Sequence, residues 1–189
     1  MANQDSAFGL RAIGKIGQNR DAQGLSEYSI AASATAIYQG DPVQALATGT
    51  IGVANLSTSV LLGSLNGVFY TDPSNKPVWA NHLAAANAAT DIVGFVSDDP
   101  YERFEIQSNN TGASTQTDVF MNYDIAYAAG GSPNFVSKVE LDDSSVVSTT
   151  AQLRVIGVSK DPSNNDLASA NTNFVVEIVE HFYKQAAGI

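Results

Sequence analysis

The sequence predicts an all-β fold, an antiparallel β-barrel or sandwich with an extended N-terminal arm and at most one short helix. Three observations predict it. Among larger apolar residues Val and Ile number 28 against 11 Leu, while 26 of the 189 residues are Ala, and β-branched side chains suit a pleated surface. Gly, Ser, Thr and Asn fill 61 positions, so the apolar runs are short and cut by turn chemistry. No run alternates strand with long amphipathic helix, which excludes βαβ units and helical bundles.

The elements follow in order. Residues 1–25 read as an arm, because Gly9, Gly14, Gly17 and Gly24 interrupt any regular structure. Phe8, Leu10, Ile13 and Ile16 lie between them as apolar anchors. The same segment can instead pack on its own body. Residues 26–189 form the β body, with room for two small subdomains.

Short runs at Glu27–Ile30, Thr35–Tyr38, Val43–Leu46 and Gly49–Ala54 open that body. Val60–Leu65 then meets Asn66-Gly67, a two-residue hairpin signal, with Val68–Tyr70 beyond it. Asn81–Thr90 is the helix candidate, alanine-rich and free of Gly and Pro. Ile92–Val96, Phe104–Ser108 and Val119–Ala128 continue the strands, followed by Ser137–Leu141, Leu153–Ser159 and Asn173–Tyr183. The last run carries apolar groups on both faces, as does a central strand or one covered by a partner chain.

Charge adds a division. Nine Lys+Arg stand against 19 Asp+Glu, a net of −10. Residues 1–20 hold Arg11, Lys15 and Arg20 against Asp5, a net of +2, leaving −12 for the remainder. A body this acidic lacks the cationic surface that phosphates require, so no nucleic-acid partner is expected. Without cysteine, disulfides and thiolate chemistry are excluded. No apolar run approaches a membrane span, and the first residues lack a secretory pattern. The expectation is synthesis in a cytoplasm with no membrane partner.

The ionisable residues suggest no catalytic set. His82 and His181 are the only histidines, and neither has a carboxylate or nucleophile at a motif spacing. Asp98-Asp99 and Asp142-Asp143 are acid pairs in turns, where adjacent acids commonly bond the backbone. Asp161, Ser163 and Asn165 alternate as calcium ligands do, but Asp166 and Thr172 stand where an EF-hand needs Gly and Glu. No enzyme activity, metal or cofactor is expected. Phe69, Tyr70 and Trp79 form an aromatic group that could stack a sugar.

The opening Met1–Arg11, with Gly14-Lys15 and Gly17–Arg20 after it, resembles the start of virion structural proteins of tailed bacteriophages, especially marine and cyanobacterial ones. Ile37–Val43, Gln152–Val158 and Glu180–Tyr183 are similar too, so the likeness spans most of the chain. Within that group a chain of this size resembles a capsid decoration, or cement, protein. The resemblance implies a homotrimer on the outer head surface that binds the major capsid protein and holds neighbouring coat subunits together. Phe8, Leu10, Arg11, Ile13, Lys15, Ile16 and Arg20 would then form the capsid-binding arm. The alternatives are a tail or neck protein, and a carbohydrate-binding module for host attachment.

Overall fold

The computed structural model describes every residue except Met1, 17–23, Thr111, Ala187 and Ile189. It is all-β: 38% of residues are strand and 5% helical, the helical part being 3-10 turns. Five strands build sheet A in the order β1 (Arg11–Lys15), β8 (Glu102–Gln107), β13 (Asn173–Ile178), β12 (Leu153–Val158) and β9 (Asn122–Tyr123). Sheet B runs β2 (Ser26–Ser29), β7 (Val93–Ser97), β5 (Gly63–Thr71), β3 (Pro42–Ala45) and β4 (Ile51–Val53), with β6 (Pro77–Ala80) beside β5. A two-stranded ribbon joins β10 (Ile125–Ala126) to β11 (Glu140–Leu141). Every ladder is antiparallel, and both sheets end on edge strands, an arrangement consistent with a β-sandwich.

Each sheet turns one face onto its own apolar cluster. Phe104, Ile106, Phe174, Val176 and Ile178 fill the first cluster, and Leu10 from the N-terminal segment joins them. Ile37, Val43, Leu62, Leu65, Val68 and Val96 fill the second. Tyr127 packs against both. As expected for a strand apolar on both faces, β13 is central, between β8 and β12.

Three expectations differ from the structure. Asn66-Gly67 makes no hairpin; β5 runs straight through it, because Ser64 to Phe69 pairs with β7 on one side. The pair marks a β-bulge, with the register shifting between Leu65 and Gly67. Asn81–Thr90 forms turns rather than a helix. Ten residues gain little from helix nucleation, whereas Leu83 exchanges backbone hydrogen bonds with Ile37 and is fully buried. The last strand stops at Ile178 instead of reaching Tyr183. The chain then turns His181 into the interior and closes with a 3-10 turn over Phe182–Lys184.

The two sheets are locked together where the chain crosses between them. The turn after β7 carries the paired acids, and each serves a different sheet. Asp98 accepts from Ser26 Oγ (2.9 Å) and from the Tyr28 hydroxyl, both on β2. Asp99 accepts from Lys15 Nζ on β1 at 2.5 Å.

Candidate functional site

The N-terminal segment is the first place to look for a docking surface, and residues 2–16 are folded onto the chain's own sheets. Asn3, Gln4 and Ser6 bond to a polar network on the outer side of sheet A. Asn164 Nδ2 donates to Gln4 O (2.8 Å), and Gln107 Oε1 accepts from Ser6 N (2.8 Å). At Gly9 the backbone passes so near the Gly40 turn that a Cβ would lie 2.3 Å from Gly40 O. Its φ of +73° also favours glycine. Leu10 is then buried, donating from its backbone to Gly40 O and accepting from Ser64 Oγ.

The proposed anchor residues therefore separate. Leu10 lies in the core. Phe8 is half-buried with the Arg11 guanidinium 4.3 Å above its ring, and Arg11 itself pairs with Glu105. Lys15 pairs with Asp99, whose hydrogen bond holds the ammonium above and the carboxyl below their ordinary ranges. Ile13 and Ile16 are 48% and 36% exposed. Arg20 lies outside the described residues.

Beside Ile13, a groove of about 470 Å³ opens on the outer side of sheet A. Ile13, Val158 and Val175 give it an apolar floor, and Lys15, Arg103 and Lys160 line it together with the acids Glu105 and Asp161. Those three are a third of the chain's nine cations, gathered on a protein of net charge −10. Residue numbers alone could not show this. Arg103 and Lys160 lie far from Lys15 in sequence, and the β1–β8 ladder brings Arg103 opposite Gly14.

A different surface covers the outer side of sheet B. The cross-strand pairs Glu27–Phe95–Gly67 and Val93–Phe69–Trp79 put these side chains on one face. Trp79 is 66% exposed, its ring 4.5 Å from Phe95 and 6.2 Å from Phe69. Tyr70, grouped with them by sequence, points to the other face and packs on the core. Phe95 takes its place. The spacing of β7 against β5 places it there, and no local motif marks it.

The remaining titratable groups have structural surroundings. His82 is stacked between Tyr38 and Phe135 at interplanar angles of 7° and 5°, and burial lowers its pKa. His181 is fully buried, and desolvation pulls its pKa down to about 4. Asp41 is fully buried as well, and desolvation pushes its pKa up to about 6 against the opposing bonds from Ser137 and the Tyr38 N–H. In the 161–166 loop, Asp161 Oδ1 accepts from Ser163 N (2.9 Å), an Asx turn. Among the described residues no group of three or more His, Asp or Glu side chains could hold a metal ion, and no helix is long and apolar enough to cross a membrane.

No family model, no curated protein and no solved structure matches the chain.

Proposed function

We propose that the chain is a non-enzymatic decoration protein of a tailed-bacteriophage head, binding the outer surface of the shell and bridging major capsid protein subunits. The observation that carries this reading is the groove beside Ile13. Three of the nine cations meet two acids around this apolar floor, a local excess of positive charge on a protein of net charge −10, which suits an acidic surface with apolar projections. Cations at a rim steer association and fix register, while the desolvated floor supplies most of the affinity.

This moves the binding work away from a free arm. Residues 2–12 are needed to complete sheet A and its core, so the docking part is the outer edge of β1 with the groove behind it. A homotrimer would present three such grooves at once. Joined binding sites gain effective concentration without any new contact, so modest grooves suffice to hold a shell under internal pressure.

The test uses point variants, because deleting residues 2–20 would remove Leu10 from the core. Purified protein is added to undecorated heads and occupancy is measured by sedimentation, alongside light scattering of the free protein. Ile13→Asp and the pair Arg103→Glu with Lys160→Glu should each lower occupancy at least tenfold while leaving the fold and the trimer intact. Undiminished occupancy by both variants would sink the assignment. A strictly monomeric protein on the head would remove the avidity argument.

A further inference from the structure

The aromatic face of sheet B has no role in the head-binding groove, and its geometry is that of a platform. Gly67 sits directly opposite Phe95 across the β5–β7 ladder. A Cβ on residue 67 would lie 4.0 Å from Trp79 Nε1, so the indole edge comes down over the one position in that row without a side chain. Phe95 on one side (4.5 Å, 36°) and Phe69 on the other (6.2 Å, 54°) hold the ring in place. The indole is thus fixed by its neighbours and still 66% exposed.

Size decides what such a surface can hold. Two-thirds of an indole is roughly 100–170 Å², taking about 150–250 Å² for a whole aromatic side chain. Phe69 and Phe95 are half-buried and add little. A stable protein partner needs about 800 Å² on each side. The platform is several times too small for a second copy of the chain and well matched to one sugar ring. A hexopyranose with equatorial hydroxyls has the complementary form, with C–H groups across its face and hydroxyls around its edge.

The edge of the platform supplies acceptors and donors. Glu27, exposed on β2 directly opposite Phe95, offers a carboxylate to sugar hydroxyls. Asn66, exposed at the adjoining bulge, accepts from Gln39 through Oδ1 at 3.2 Å, which leaves its amide N–H groups to donate. With a carboxylate at the rim and a net charge of −10, uronic and sialic acids are repelled. We infer that Trp79, Phe69 and Phe95, with Glu27 at their edge, form a binding site for neutral hexopyranosides, independent of the head-binding groove.

Trp79 is the chain's single tryptophan, so intrinsic fluorescence of the full-length protein reads this site alone. The protein is titrated with methyl β-glucopyranoside, methyl β-galactopyranoside, short neutral β-linked oligosaccharides and glucuronate. At least one neutral sugar should give a saturable change in emission, with glucuronate at least fivefold weaker. By calorimetry, Trp79→Ala should weaken that binding at least tenfold and Glu27→Gln about threefold, while Ile13→Asp leaves it unchanged. Absence of saturation with every neutral sugar would overturn the site, and glucuronate binding as tightly as glucose would overturn its charge selection. An emission shift with protein concentration alone, together with an oligomer that Trp79→Ala dissociates in light scattering, would overturn the sugar site and assign the face to a second copy.

Discussion

Sheets A and B share a fold plan and differ on the side that faces away from their cores. Sheet A carries a charge ladder there: Arg154 donates to Asn122 Oδ1 (3.0 Å) and pairs with Glu177 (3.4 Å), and Arg103 lies opposite Glu177 on the next strand. Beside it, the N-terminal segment covers a buried polar network around Gln107, Asn164 and Asn173. Sheet B carries Phe69, Phe95 and Trp79 on the corresponding side and, among the described residues, no ion pair. Outer faces are not needed to close either core, so they are free to differ. The difference teaches that two sheets of one plan can carry different physics on their outer faces, charge on one and exposed aromatic surface on the other.

The sharpest way to break the comparison is to remove the extra layer from sheet A. Leu10→Ala deletes a fully buried side chain whose backbone is tied to Gly40 and Ser64. A loss of about 2–5 kcal/mol is expected in urea denaturation, with hydrogen exchange rising across residues 3–12 before it rises in sheet B. A loss under 1 kcal/mol would mean that the N-terminal segment adds little to sheet A.

The joint between the sheets predicts a pH dependence. His181 has a folded pKa of about 4 against 6.5 when unfolded, so the folded state binds fewer protons between those values. Stability is therefore complete above about pH 6.5 and falls as pH drops toward 4, by about 3 kcal/mol at 1.4 kcal/mol per pH unit. Asp41 works in the opposite sense. Its folded pKa of about 6 lies above 3.8, so its contribution falls as pH rises from 4 to 6. Thermal melts of His181→Asn, which keeps an acceptor for the Tyr183 N–H, should lose the acid limb. Asp41→Asn should lose the other limb.

These two residues mark how far the sequence could be read. The β class and the central place of β13 were legible, because β-branched content and two-sided apolar strands are local properties. The hairpin at Asn66-Gly67 and the helix at Asn81–Thr90 were misread because turn and helix signals are weak terms. Pairing of β5 with β7 and burial of Leu83 outweigh them. The groove was not legible at all. Its cations come from β1, β8 and the loop after β12, and only the sheet order gathers them. The aromatic face was half legible, since Trp79 and Phe69 are near in sequence while Phe95 arrives by register.

Within the core of sheet B, Gly94 is closely enclosed by side chains. A Cβ there would meet Ile30 Cδ1 at 2.9 Å, Ile51 Cδ1 at 3.2 Å and Leu65 Cδ1 at 3.3 Å. All three are ends of flexible side chains, so Gly94→Ala should cost about 1–3 kcal/mol through overpacking rather than prevent folding. Chemical denaturation should find Gly157→Ala on β12 far milder, since nothing lies within 4 Å of its Cβ position.

The smallest effect tests the outer faces themselves. Glu177 sits between Arg154 and Arg103 on sheet A, its side chain 15% exposed and that of Arg154 41%, so water reaches the pair from the arginine side. Exposed pairs contribute about 0–1 kcal/mol and are screened by salt. Glu177→Gln should therefore lower stability by less than about 1 kcal/mol, with the difference from the parent shrinking in 1 M salt. Trp79→Ala on sheet B, where the lost contacts are apolar, should show a small effect that salt does not shrink. If both variants responded to salt alike, the two faces would not differ in the physics assigned to them. If Glu177→Gln cost several kcal/mol, its carboxylate would be part of a desolvated network, and the charged face of sheet A would act as a second core rather than as a solvated face.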